Sequence, residues 1–243
     1  MSPRPNRGGD LRRRAPNRPS AATAGPAPAT AMPVAERPER RDGFGSASPD
    51  LITMLPPDWE KAVYLALDFE TTGLDPARER VVEIGAIRFI PRSLCASGAE
   101  ERMATELGAM ASLVKPGIRM PREVIAIHGI TDEDVEDAPP FKEVAPALSA
   151  LASGAYIVAH NAPFDLSFLR AELARAGLPP PLNPVIDTRL LAKAAFPGLS
   201  SYRLVHLASR FGIEPGRAHR ALDDARTCMD LLVLCASRAV RAS

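Results

Sequence analysis

The sequence predicts an α/β protein in which helices cover both faces of a mixed β-sheet. Three apolar segments come first, at residues 62–67, 81–90 and 103–114, and turn residues separate them without a long helical pattern. Helical patterns then alternate with shorter apolar segments over the rest of the chain. Strands in a meander pair antiparallel, whereas strands joined through helices pair parallel, so we expect both kinds of pairing in one sheet.

The later elements follow from local composition. The run 62–67 is compact enough for a buried strand. Gly154 and Gly177 are expected to end helices, because glycine readily takes up the left-handed conformation found there. The predicted elements after residue 114 are helices over 121–127 and 141–151, a strand over 156–159, a helix over 164–176, a strand over 185–186, and helices over 202–211 and 221–239.

Residues 1–50 have the composition of a disordered tail. They contain nine prolines and nine arginines against five acids, and too few large apolar side chains to offset the entropy of ordering them. We therefore predict a tail over 1–50, a lead-in segment over 51–61 and a globular domain over 62–240. The tail is expected to be inert, and a weak electrostatic arm for nucleic acid is the alternative.

The whole-chain composition excludes several classes of protein. A net charge of +1 argues against a highly basic coat for long duplex nucleic acid, and no apolar run reaches the ~18 residues of a membrane span. The three cysteines lack CxxC spacing, which argues against a disulfide framework or a structural zinc site and favours a reducing compartment. Arginine outnumbers lysine by 26 to four, which suggests a GC-rich bacterial genome. We expect a protein of the bacterial cytoplasm.

The first chemical signal is the pair Asp68 and Glu70, which follows the apolar run 62–67. Residues at i and i+2 of a strand share a face, so both carboxylates point the same way. Two close like charges need protons or a cation, and oxygen ligands suit Mg²⁺ or Mn²⁺. The alternative is that the two acids only end a strand and begin a turn.

The second signal is the segment HNAPFD at 160–165, where a strand gives way to a helix. Pro163 suits the opening of that helix, so Asp165 is expected in its first turn, beside the carboxyl ends of the strands. The helix dipole favours an acid at this position in any case, and that is the alternative reading.

The third signal is the segment HRALDD at 219–224, which opens the last helix. On a continuous helix His219 and Asp224 would lie about 140° apart, so they can meet only if His219 sits in the preceding loop. We expect Asp224 to point inward and Asp223 to be a solvated charge. A surface histidine is the alternative for His219.

Taken in this order, the three motifs closely resemble the 3′–5′ exonuclease family named for three aspartates, one glutamate and a histidine (the DEDDh type). The segments TTGL at 71–74 and IHGIT at 127–131 match as well. The resemblance covers about residues 63–234, and among members of the family the chain looks most like the proofreading epsilon subunits of bacterial DNA polymerase III. It implies a ribonuclease H-like fold.

The resemblance also implies roles for nine residues. His219 would be the general base that activates water. Two divalent cations, Mg²⁺ or Mn²⁺, would be held by Asp68, Glu70, Asp165 and Asp224. Contacts with the terminal nucleotide would come from Thr71, Thr72, Glu123 and His128.

The activity implied is hydrolysis of phosphodiester bonds from the 3′ end, releasing 5′-mononucleotides, with single-stranded DNA favoured. An exoribonuclease of the same family, a non-catalytic nucleic-acid-binding module and a small-molecule metallohydrolase are the alternatives.

The resemblance leaves polymerase association open. Only 19 residues follow Asp224, and the chain contains no glutamine, so it lacks the glutamine-led clamp-binding motif and the long polymerase-binding tail typical of epsilon subunits. We therefore expect a stand-alone or accessory exonuclease, with a DNA polymerase as a possible partner.

Overall fold

The computed structural model describes residues 47–92, 104–214, 216 and 218–242. The tail up to residue 46 and Cys95 lie outside the described residues. Within them, one five-stranded sheet has the order β3-β2-β1-β4-β5. Its strands are β1 (Tyr64–Thr71), β2 (Val81–Pro91), β3 (Ala104–Leu113), β4 (Tyr156–Ala159) and β5 (Val185–Asp187).

The pairing confirms the predicted mixed sheet. Strands β1, β2 and β3 form an antiparallel meander, and β4 and β5 add to the other side of β1 in parallel. The helices are α1 (Arg122–His128), α2 (Phe141–Ala152), α3 (Ala162–Arg175), α4 (Thr188–Ala195), α5 (Leu204–Phe211) and α6 (Ala221–Ala242).

Two elements were not predicted. A 3₁₀ helix spans Pro49–Met54, and the Ser48 hydroxyl accepts a hydrogen bond from the Asp50 N–H at its start. Helix α4 begins directly after β5, where the Asp187 carboxylate accepts hydrogen bonds from the Arg189 and Leu190 N–H groups. Both are short elements started by a polar cap, which an apolar pattern alone does not reveal.

The core lies on both faces of the sheet. Tyr64 and Ala66 of β1 belong to the buried cluster that α4, α5 and α6 cover, whereas Leu65 and Leu67 belong to the cluster under α2 and α3. This alternation is the two-residue period of a strand buried on both faces.

The lead-in segment is part of the first cluster. Leu51, Leu55 and Trp59 are buried there, and the Ser48 N–H donates to the Ala194 carbonyl of α4 at 2.9 Å. Among the described residues, every helix is too short or too polar to cross a membrane.

Candidate active site

The candidate site begins on the face of β1 that α6 covers. The strand runs through Thr71, so Asp68 and Glu70 lie inside it rather than after it. They continue the series of Tyr64 and Ala66 on that face, because side chains two residues apart in a strand point the same way. The first two site carboxylates therefore project toward the start of α6.

His219 lies in the turn before α6 and has a φ of 60°, a left-handed conformation that is uncommon outside glycine. Its N–H donates to Oδ2 of Asp224 at 2.9 Å, which satisfies a carboxylate in the first turn of the helix. One ligand atom each of Glu70, His219 and Asp224 lies within 4.8 Å of the others. The loop position predicted for His219 is the one observed.

Asp165 approaches the same sheet from α3. Asn161 caps that helix with a φ of 72°, and proline follows within its first turn, as the sequence suggested. Asp165 is 3% exposed, and its Oδ1 accepts a hydrogen bond from the Phe69 N–H at 3.2 Å, between the two β1 acids. The hydrogen bond joins the start of α3 to the strand segment that carries Asp68 and Glu70.

His160, in the same HNAPFD segment as Asp165, forms hydrogen bonds to other elements of the fold. Its Nδ1 lies 3.0 Å from the Thr188 hydroxyl and its Nε2 lies 2.9 Å from the Tyr202 carbonyl. The imidazole thus connects the end of β4 to α4 and to the segment before α5.

The pKa values of the four site carboxyl groups are all raised. Burial is the largest cause, and it raises the pKa of Glu70 and of Asp165 to about 8. The pKa of Asp68 lies well above its usual range through burial and then through the charges of Asp165, Asp224 and Glu70. Burial also raises the pKa of Asp224, although the His219 N–H opposes the shift. Ionisation of the whole set therefore requires positive charge nearby.

A divalent cation fits this donor set. Carboxylate oxygens are the ligands that Mg²⁺ and Mn²⁺ prefer, and oxygens of Glu70 and Asp224 lie close enough together to share one ion, with a ring nitrogen of His219 beside them. The cation would supply the positive charge that the four carboxyl groups need in order to ionise together.

The predicted substrate contacts lie around the site in different environments. The Thr71 hydroxyl donates to the Gly73 carbonyl at 2.6 Å, and the Thr72 hydroxyl accepts from the Arg80 N–H at 3.0 Å in a fully buried position. These bonds hold the loop that follows β1.

The other two predicted contacts lie on α1. Glu123 is exposed in its first turn, and His128 is buried in its last. The Nδ1 of His128 accepts from the Ile130 N–H at 3.0 Å, while its Nε2 is buried without a partner among the described residues. Burial lowers the pKa of His128, although the Thr71 backbone and the charge of Glu83 oppose this shift.

One residue beside the site was not singled out from the sequence. Glu83 of β2 lies directly opposite Glu70 and is 4% exposed, and Arg220 binds it through Nε at 3.0 Å and Nη2 at 2.6 Å. The sequence does contain a signal for this residue, because Glu83 interrupts the apolar segment VVEIGAI. An acid in a strand that is buried on both faces needs a partner for its charge.

Comparison with known proteins is consistent with this geometry. Residues 65–232 match the sequence profile of the RNase T exonuclease family. The DNA polymerase III subunit epsilon of Treponema pallidum (strain Nichols) is 39% identical over 181 residues, which span 72% of this chain and 79% of that protein. The 3′-5′ exonuclease DinG of Bacillus subtilis (strain 168) is 32% identical over 68% of this chain, but the match spans only 16% of DinG.

Solved structures give the same result for the fold. Exonuclease X in complex with 5′ overhanging duplex DNA has a TM-score of 0.52 and 27% identity, and the match covers 72% of this chain and 90% of that one. Exonuclease I of E. coli in complex with a dT13 oligonucleotide has a TM-score of 0.61 at 24% identity, over 74% of this chain and 42% of that one. The predicted ribonuclease H-like fold is therefore confirmed.

Proposed function

Because this chain belongs to the exonuclease family and is a 3′–5′ exonuclease, we propose that it removes 5′-mononucleotides from single-stranded DNA in a reaction that depends on divalent cations. The observation that carries the proposal is the convergence of four carboxyl groups and an imidazole at one end of the sheet. The raised pKa values of all four carboxyl groups support a role in cation binding.

Asp68, Glu70, Asp165 and Asp224 are the residues that would hold two ions, Mg²⁺ or Mn²⁺. When bound, these ions would reverse the negative field of the carboxylates toward an anionic phosphodiester and activate the attacking water. The four carboxylates come from three elements, β1, α3 and α6. Hydrogen bonds from the Phe69 and His219 N–H groups orient two of them.

His219 is the general base in this proposal. It is exposed, so water can reach its imidazole, and its main chain is held by the bond to Asp224. The imidazole accepts a proton from the attacking water as the oxygen bonds to phosphorus. The bond to the 3′ oxygen of the preceding nucleotide breaks, and that oxygen keeps the electron pair and takes up a proton to become the 3′-hydroxyl of the shortened strand. The product is a 5′-mononucleotide.

The terminal nucleotide lies, in this proposal, between the loop after β1 and the end of α1. The Thr71 and Thr72 hydroxyls are used within the loop, so these residues fix the loop against which the nucleotide lies. Glu123 contacts the nucleotide from the exposed side of α1, and His128, buried at the end of the same helix, supports the surface on which the nucleotide lies.

DNA is favoured as substrate because Exonuclease X was solved with an overhanging duplex DNA and Exonuclease I with a dT13 oligonucleotide. We propose that the chain acts without a polymerase, since all the catalytic side chains come from this one chain, and that it works in the bacterial cytoplasm, since its named relatives are bacterial. A DNA polymerase remains a candidate partner through the likeness to the epsilon subunit.

The test uses the purified chain alone with matched 5′-labelled single-stranded DNA and RNA, in Mg²⁺, in Mn²⁺ and in EDTA. We expect a ladder that shortens from the 3′ end, faster on DNA, and no cleavage in EDTA. Faster cleavage of RNA would identify an exoribonuclease. Absence of cleavage with folded protein and metal would favour a non-catalytic nucleic-acid-binding module.

A further inference from the structure

A buried carboxylate on β2 receives the beginning of α6. Both oxygens of Glu83 are engaged, because Arg220 donates to them from Nε and Nη2 and the Ala221 N–H donates to Oε2 at 3.0 Å. The guanidinium and carboxylate lie in a paired geometry, which specifies orientation as well as distance. The last residue before α6 and the first residue in it are thus both bound to one side chain of the sheet.

The backbone of α6 also rests directly on β2 at Gly85. A Cβ added to this glycine would lie 2.0 Å from the carbonyl carbon of Ala221 and 2.2 Å from the Leu222 nitrogen. Since Glu83 and Gly85 are two residues apart on one strand, they share the face that α6 covers. The strand therefore provides both the space and the hydrogen bonds for the start of the helix.

Along the chain, the residues that contact β2, Arg220 and Ala221, lie between the two site residues His219 and Asp224. His219 precedes Arg220, and Asp224 follows Ala221 by three residues, and their ligand atoms group with Glu70 within 4.8 Å. A shift of the helix start on β2 would move Asp224 and His219 away from Glu70. Misplacement of reacting groups by about 1 Å can lower a rate ~100-fold.

We propose that Glu83 is a positioning residue of the exonuclease site, which acts through Arg220 and the Ala221 N–H to set His219 and Asp224 against β1. The inference rests on the proposed function. Glu83 does not serve as a further cation ligand, since its oxygens already accept three N–H groups and its charge is matched by Arg220.

The experiment compares Glu83→Gln, Arg220→Met and the double variant. Glu83→Gln leaves the Arg220 guanidinium, which is 36% exposed, without its partner, and Arg220→Met leaves the buried Glu83 carboxylate without one. The double variant removes both charges. The amide oxygen introduced by Glu83→Gln can still accept from the Ala221 N–H. We measure kcat and KM on single-stranded DNA, the affinity and stoichiometry for Mn²⁺ alone by calorimetry, and the melting temperature.

We expect each single variant to lose ~10- to 100-fold in kcat with KM for DNA changed less than about threefold, and to bind Mn²⁺ more weakly at unchanged stoichiometry. The double variant should lose no more kcat than the more impaired single variant, because both changes break the same contact and their effects do not multiply. Should Glu83→Gln fail to fold, Arg220→Lys replaces it, since lysine keeps the charge without the paired geometry, and its kcat should fall by about tenfold.

Glu172 provides a matched control. It is 1% exposed in α3 and is bound by Arg80 through Nε at 2.7 Å and Nη2 at 2.9 Å, with the Val81 N–H as a third donor. Arg175 also binds Glu172, at 3.3 Å, so this cluster resembles the Glu83 pair in its buried carboxylate and paired guanidinium, but it is not attached to α6. Glu172→Gln should lower the melting temperature and leave kcat and Mn²⁺ affinity unchanged.

Three results would overturn the proposal. Single variants that keep kcat within about twofold of the wild type would show a structural role only. A double variant whose loss in kcat is the product of the two single losses would remove the positioning relation through Arg220, and loss of a Mn²⁺ equivalent in Glu83→Gln would make Glu83 a ligand. Wild-type protein that cleaves no DNA contradicts the proposed function instead, so the two failures are distinguishable.

Discussion

Replacing Asp165 with asparagine should stabilise the metal-free protein while abolishing catalysis. Asp165 is 3% exposed, and burial raises the pKa of its carboxyl group to about 8. Asparagine has nearly the same shape, and its Oδ1 can accept the same hydrogen bond from the Phe69 N–H. The substitution therefore removes the titrating group and keeps the packing.

The size of the effect follows from the pKa. The folded-state pKa of about 8 lies above the usual value of 3.8, so the wild-type fold loses stability as the pH rises from about 4 to about 8. At 1.36 kcal/mol per pKa unit, the raised pKa of Asp165 destabilises the fold by up to ~5 kcal/mol at pH 8 and ~2 kcal/mol at pH 5, because the carboxyl group ionises more readily in the unfolded chain. A change of 1 kcal/mol shifts the melting temperature by about 2–4 °C in a domain of this size. Asp165→Asn should thus melt ~10 °C higher than the wild type at pH 8 in EDTA, and only a few degrees higher at pH 5.

The assay is thermal unfolding at pH 5 and pH 8, in EDTA and in Mn²⁺, together with cleavage of labelled DNA. Mn²⁺ should stabilise the wild type at pH 8 and have little effect on Asp165→Asn. Asp223→Asn is the control, since Asp223 lies one residue from a site acid but is partly exposed and ion-paired with Arg226, so we expect a change within about 0.5 kcal/mol. A lower melting temperature for Asp165→Asn in EDTA at pH 8, or retained Mn²⁺ stabilisation, would refute the reasoning.

Three further predictions concern single residues. Asp68→Ala should abolish cleavage with the fold intact by circular dichroism, because it removes a cation ligand, and activity above a few per cent would refute the ligand assignment. His219→Ala should lower kcat by about 10²- to 10⁴-fold on DNA, whereas the exposed His206→Ala should not, and an unchanged pH–rate profile in His219→Ala would exclude it as the base. Leu51→Ala should cost about 2–5 kcal/mol in urea unfolding because Leu51 is 1% exposed, while Ile52→Ala, at 46% exposure, should cost little, and equal effects would contradict the packing of the lead-in segment.

Much of the site could be predicted from short residue spacings, because these fix the direction in which side chains point from a strand or a helix. The i and i+2 positions of Asp68 and Glu70, and the angular argument that puts His219 in a loop, depend only on strand and helix geometry. The structure has both features. Asp165 followed from a proline that opens a helix, and the structure places it in the first turn of α3.

What the sequence could not predict depends on partners distant in the chain. The apolar run that predicts β1 stops at residue 67, but pairing with β2 carries the strand through Thr71. Glu83 is explained only by Arg220, which lies 137 residues away. The start of α6 against Gly85 is likewise a tertiary contact that no local pattern contains.

The central claim is that the four site carboxylates hold divalent cations that catalyse the hydrolysis of phosphodiester bonds. Anomalous diffraction from crystals soaked with Mn²⁺ and a deoxynucleoside 5′-monophosphate tests it most directly. The account predicts two anomalous peaks, each about 2.0–2.4 Å from oxygens of Asp68, Glu70, Asp165 or Asp224, with the phosphate beside them. Peaks elsewhere on the surface, or no peaks in a crystal that holds the nucleotide, would contradict it.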